Sequence, residues 1–112
     1  MHMKFLCLVY MDEETWSSVP DSECMSFGDS IRATGTFLGG EALRPVDTAV
    51  TVRVRHGHAT VTDGPFAETK ELLAGFYLID AADINDAARI ASGIPPARVG
   101  SVEVRPVREL EP

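Results

Sequence analysis

Apolar positions along this chain fall into two kinds of block, continuous runs and clean alternations, separated by stretches of helical spacing. Lys4 to Met11 reads Lys-Phe-Leu-Cys-Leu-Val-Tyr-Met, an almost unbroken apolar run of strand length. Such a run predicts a central strand buried on both faces rather than an edge strand with one wet face. Asp12 to Val19 turns polar and acidic, carries the single tryptophan, Trp16, and predicts a loop. From Pro20 onward Cys24, Phe27, Gly28 and Ile31 recur at helical spacing, and Gly35 supplies a C-terminal stop. Gly28 and Ser30 lower the propensity of this helix, so packing must hold it.

Phe37 and Leu38 ahead of Gly39-Gly40-Glu41 predict a short strand or bulge. Val50 to Arg55 alternates apolar and polar, Gly57 marks a turn, and Ala59 to Thr62 returns as the second arm of a hairpin. Leu72 to Asp80 is a second long apolar run. Asp83 is placed to cap a last helix with Asp86 in its first turn, Ile84, Ala87, Ala88 and Ala91 sharing a face and Gly93 and Pro95 ending it. Ser101 to Val107 alternates again, with Pro106 marking a strand end or an edge.

This order, strand, helix, strand, hairpin, strand, helix, strand, predicts an α+β fold of the ferredoxin-like βαββαβ kind with an inserted β-hairpin. Its antiparallel sheet carries both helices on one face. Two strands apolar on both faces then leave a second face uncovered, and too little chain remains to cover it. A second copy packing sheet to sheet is the economical solution, so a homodimer through the sheet face is expected.

Length and composition narrow the function. At 112 residues with 45% apolar content, residues 1–112 read as a single folded domain. A formal charge of −7, with ten scattered basic residues, excludes a nucleic-acid role, which needs clustered Lys and Arg. Neither a membrane helix nor a signal peptide is read from the pattern, and Cys7 and Cys24 lack a motif spacing, so a cytoplasmic protein with reduced thiols is expected. Cys24 is read as a small buried hydrophobe ahead of a nucleophile. A Gly-rich phosphate loop, a Cys-x-x-Cys pair and a Ser-His-Asp set are all missing, so no cofactor is expected.

Chemistry concentrates in Thr62-Asp63-Gly64-Pro65-Phe66-Ala67-Glu68-Thr69-Lys70-Glu71, denser in ionisable groups than a chain reversal requires. Asp63, at a strand end, is either a general acid–base with a raised pKa or an Asx-turn residue holding Gly64-Pro65. Glu68 and Lys70 either bind an anionic substrate over a pocket or form a surface ion pair. Glu41, behind two glycines, either faces Asp63 across a cleft or sits at an ordinary bulge. Tyr10, Trp16, Phe66 and Tyr77 could line a pocket, Trp16 foremost, with Phe66 and Tyr77 more readily core residues; Arg53 joins the pocket or pairs with an acid. His56 and His58 flank Gly57 at the hairpin tip, where two imidazoles without a third ligand make a solvated turn and not a metal site.

Tyr10 and the acidic Trp16 loop, Gly40-Glu41, Thr51-Val52-Arg53, the Thr62–Glu71 segment, Gly75-Phe76-Tyr77-Leu78-Ile79 and Gly100-Ser101-Val102-Glu103-Val104-Arg105-Pro106 together resemble the DGPF group of the YCII-related proteins. The resemblance covers nearly the whole chain. It implies a dimeric α+β barrel fold with a cleft beside the sheet, a small organic ligand, and in bacteria a link to extracytoplasmic-function sigma factors. The His–Asp pair proposed for the wider family has no counterpart here, because His56 and His58 lie far from Asp63 in the strand plan. The reading is a small-molecule-binding protein or a cofactor-independent enzyme of the proton-transfer type, isomerase- or lyase-like. In that reading Asp63, Glu68, Lys70 and Glu41 carry the chemistry beside a pocket of Tyr10, Trp16, Phe66 and Arg53. The alternative is a non-catalytic dimeric interaction or regulatory module.

Overall fold

A computed structural model describes residues 2–112 and gives the expected order of elements. These are β1 (Met3–Met11), α1 (Asp21–Ala33), β2 (Phe37–Ala42), β3 (Val50–Arg55), β4 (His58–Asp63), β5 (Leu72–Ala81), α2 (Ile84–Ala91) and β6 (Ser101–Pro106). Four strands form an antiparallel sheet in the order β2-β5-β1-β6, while β3 and β4 form a separate two-stranded sheet. The two long apolar runs, β1 and β5, are the neighbouring central strands, as their lack of a polar face requires.

Register divides the central strands into two faces. Phe5 opposes Ile79, Cys7 opposes Tyr77 and Val9 opposes Gly75. Phe5, Cys7, Val9 and Ile79 are buried with Ile31 of α1 and with Ala87, Ala91 and Ile94 of α2 and its exit. Leu6 opposite Leu78 and Leu8 opposite Phe76 occupy the other face, where all four remain half-buried. Nothing among the described residues covers them more fully. The edges of this face are polar, since Arg105 and Glu103 of β6 stand beside Leu6 and Leu8, and Glu41 of β2 stands beside Phe76.

Helix α2 is packed differently from its expected face. Ala87 and Ala91 are buried, but Ile84 is 45% exposed and Ala88 is also exposed. The apolar stripe instead runs through Ile90 to Ile94, which lies beyond the last helical residue and is 1% exposed. Two alanines let the helix approach the sheet closely, and the following turn inserts Ile94 into the space beside them. The cap is as expected. Asp83 Oδ1 accepts from the Asp86 backbone N–H at 2.8 Å, and Asp86 Oδ2 accepts from the Ala82 N–H at 3.0 Å. These reciprocal bonds follow the logic of a capping box.

The hairpin turns through His56 (φ 52°) and Gly57 (φ 77°), two left-handed residues of the kind a two-residue hairpin loop requires. No described helix is long and apolar enough to cross a membrane.

Replacing Asp83 with Ala removes the acceptor for the first turn of α2 and is expected to cost about 1 kcal/mol. Urea denaturation of the two proteins measures the difference, and an unchanged midpoint would show that packing of Ala87 and Ala91 alone sets this helix.

Candidate functional site

Helix α1 covers the sheet incompletely. Gly28 is buried, yet a Cβ at that position would meet no atom within 4 Å, so empty space lies beside it. Gly40 and Gly75 lie on the same side of the sheet, opposite Tyr77 and Val9 respectively. A Cβ at Gly40 would lie 2.7 Å from the Phe76 carbonyl oxygen, and one at Gly75 would lie 2.8 Å from that of Glu41. Those two glycines are therefore required by close backbone approach between β2 and β5. A consequence of all three is a cavity of about 610 Å³ between α1 and the β2–β5 half of the sheet.

Its walls are mainly apolar: Val9, Met11, Val19, Trp16, Phe37 and Tyr77 among them. The volume falls in the usual range for small-molecule sites, roughly 300–1,000 Å³. Tyr77 is fixed by edge-to-face contacts with Phe27, centroids 5.5 Å apart, and Phe37, 6.4 Å apart. The Arg32 guanidinium stacks over the Phe37 ring at 4.5 Å and pairs with Asp29 at 3.1 Å, forming a polar rim.

Burial raises the Tyr77 hydroxyl above its ordinary value, with a smaller push from the Cys24 charge. Burial also raises Cys24, assisted by the nearby carboxylates of Asp21 and Glu23. At neutral pH the cavity thus presents a neutral phenol and a neutral thiol, hydrogen-bond donors rather than nucleophiles. Beside Tyr77 on β1, burial pushes the Cys7 thiol up to about 11.

The Trp16 wall is held by local bonds. Asp12 Oδ1 accepts from the Thr15 backbone N–H at 2.9 Å and from the Thr15 hydroxyl at 2.8 Å, and Ser18 bonds back to Thr15. These Thr15 donors, the side chain first, hold the Asp12 carboxyl below its ordinary value, and the Lys70 charge adds to the effect.

The residues expected from the sequence are dispersed. Trp16 lines the cavity between α1 and the sheet, whereas Glu41 reaches its edge only through its backbone, its position on β2 being paired with Phe76 of the open face. Glu68 and Lys70 line a separate open groove of about 750 Å³, with Asp12, Glu13, Glu14 and Asp47 on its other walls. Asp63 is the last residue of β4, exposed, and lines neither. Among the described residues its carboxylate accepts no bond that would close an Asx-turn, and Glu68 and Lys70 do not pair with each other. Gly64 is the residue the turn depends on: its φ is +92°, its N–H donates to the Ala49 carbonyl at 2.7 Å, and its own carbonyl accepts from the Thr51 hydroxyl at 2.8 Å. Thr69 and Glu71 close the other end: the Thr69 hydroxyl donates to the Glu71 carbonyl, and Glu71 Oε1 accepts from the Ser101 hydroxyl at 2.7 Å.

Tyr10 is half-buried on the open face of the sheet, opposite Leu73 and Ser101, and Arg53 lies on the exposed hairpin. Phe66 is not a core residue but is 79% exposed. No group of three or more His, Cys, Asp or Glu among the described residues is placed to hold a metal ion.

A ferredoxin-like α+β sheet with a cavity under its first helix defines the class. Within it the chain belongs to the YCII-related domain family, whose match spans residues 3–111. It is also similar to an uncharacterized protein of Rhizobium meliloti (strain 1021), 38% identical over 119 residues that cover 98% of this chain and 96% of the relative.

The bonds to Asp12 generate a pH prediction. A carboxyl whose folded pKa is depressed adds stability that is present above the ordinary value of 3.8 and is lost as pH falls through the lower folded value. Fluorescence of the single tryptophan, Trp16, should stay constant from pH 8 to about 5 and change only on further acidification. In Asp12→Asn the low-pH step should be absent. A wild-type transition centred near pH 6 would contradict this assignment.

Proposed function

We propose that this protein binds a small, planar, largely apolar molecule carrying a hydrogen-bond acceptor, in the cavity between α1 and the β2–β5 half of the sheet. The observation that carries this reading is the open space beside the buried Gly28, in a cavity whose floor is formed by Gly40 and Gly75. Ordinary cores are filled to crystal-like density, and a space of this size beside aromatic walls is a binding feature. Tyr77, neutral and held by two aromatic contacts, supplies the donor that orients the acceptor. Binding is favoured over proton-transfer catalysis because Asp63, Glu68 and Lys70 are exposed and lie outside the cavity.

Gly28→Leu is the direct test. Its side chain would enter the cavity, and loss of a helical glycine should raise stability by roughly 0.5–1 kcal/mol. Planar phenolic ketones and naphthalene probes should raise the melting temperature of the natural protein and leave that of Gly28→Leu unmoved. Tyr77→Phe should bind about 5- to 10-fold more weakly. Equal binding by Gly28→Leu would place the ligand elsewhere.

A second reading concerns assembly. Leu6, Leu8, Phe76 and Leu78 form a contiguous half-exposed apolar band flanked by charged residues, the pattern of a surface meant for a partner. We propose that this face packs on the same face of a second copy, an isologous contact. Leu8→Glu should then convert a dimer to a monomer in sedimentation velocity, and a wild-type monomer at tens of micromolar would end the proposal.

A further inference from the structure

One stripe of α1 roofs the cavity. Asp21, Cys24, Met25, Gly28, Asp29 and Arg32 follow one another at spacings of three, one, three, one and three residues, and all of them line it. The ends of this stripe lie about 16 Å apart at the rise of a helix. At the Arg32 end charge cancels, because Arg32 pairs with Asp29 at 3.1 Å while its guanidinium lies over the Phe37 ring. At the other end it does not. Glu23 pairs with Arg98 of the turn before β6, whereas Asp21 takes part in no ion pair among the described residues. Glu41 meets the cavity only through its backbone. The lining therefore carries one uncompensated charge, and it is negative.

Cys24, one turn along the stripe from Asp21, senses that field. Burial first, then the charges of Asp21 and Glu23, hold its thiol above the ordinary value, against a smaller opposing effect of Arg98. The whole chain, at −7, attracts cations and repels anions in the same sense. The dipole of α1 accounts for an acid in the first turn, which Glu23 already supplies, but it does not require one on the cavity wall. Trp16 and Tyr77 add aromatic surface to that wall. Ring faces beside a free carboxylate are the complement of an ammonium group, and the Arg32–Phe37 stack is the same pairing made within the chain.

We propose that the ligand of this cavity is an aryl-alkyl ammonium compound, its rings over the Gly40–Gly75 floor and its ammonium paired with Asp21. This rests on the cavity reading above and names the charge that reading leaves open. An aromatic carboxylate, the opposite class, would have to displace Asp29 from Arg32 and leave that carboxylate unpaired at the rim.

Calorimetric titration with 2-(2-naphthyl)ethylamine, 2-(2-naphthyl)ethanol and 2-naphthylacetate compares one ring system in positive, neutral and negative form. At neutral pH and low salt the amine should bind about 3- to 5-fold more tightly than the alcohol, with the acid weakest, and salt should erode the difference. Asp21→Asn should bring the amine to the level of the alcohol, and Asp21→Glu should keep most of the preference. Glu109→Gln, which removes a carboxylate from the exposed tail, should keep all of it. Gly28→Leu should lose the amine along with the alcohol. Equal binding of amine and alcohol overturns the ammonium assignment and leaves the cavity reading standing, as does tightest binding of the acid. A preference that persists in Asp21→Asn, falls equally in Glu109→Gln or survives Gly28→Leu overturns the assignment as well. Failure of all three probes to bind overturns the cavity reading and the assignment together.

Discussion

The antiparallel pairing of β1 with β5 is the constraint on which the remaining structure depends. Side chains alternate along each strand, so a slip of one residue would move Phe5, Cys7, Val9 and Ile79 out of the core and put Leu6, Leu8, Phe76 and Leu78 in their place. Both sets are apolar, so alternation of polarity cannot choose between them. The choice is made by shape. On the helix side β5 presents Gly75 where a Cβ would strike the Glu41 carbonyl, and β2 presents Gly40 where one would strike the Phe76 carbonyl. These contacts fix the register of β2 against β5 and with it the face of β5 that lies beneath α1. The requirement for close strand approach and the existence of the cavity are thus one fact seen from two sides.

That coincidence explains what could and could not be read from the sequence. The order of elements was legible because continuous apolar runs, alternating runs and helical spacing differ in period, and β1, β5 and the hairpin declare theirs over six residues or more. Asp83 was legible as a cap because the chemistry of a cap is local. The cavity was not, because it is made of absent side chains drawn from α1, β2 and β5, and a glycine in a sequence signals a turn or a stop before it signals space. The face of α2 was misread for a related reason: its stripe continues past the helix into Ile94, beyond the reach of helical periodicity.

The Thr62–Glu71 segment gives the opposite lesson. Its density of acids, lysine and an aromatic suggests convergence on a substrate, but density along a chain is not proximity in space. In the folded chain Gly64, Thr69 and Glu71 shape the loop and tie it to the Ala49 strand entry and to Ser101, whereas Asp63, Glu68 and Lys70 face water. A short segment can be distinctive because it must fold one way and leave Phe66 outside, with no need for a reaction to explain it.

Residues 75–77 make the two proposed surfaces of the body inseparable. Gly75 and Tyr77 face the cavity while Phe76 between them belongs to the open face, so a single strand thickness separates a ligand from a docked copy. Packed strands move as rigid units rather than yielding locally. A ligand that shifts Tyr77 must shift Phe76 with it, and whatever differential affinity this produces is reciprocal by linkage. If the cavity takes a ligand and the open face takes a second copy, as proposed, the two events meet at β5, and the sign of any coupling is set by whether the ligand draws β5 toward α1 or presses it away.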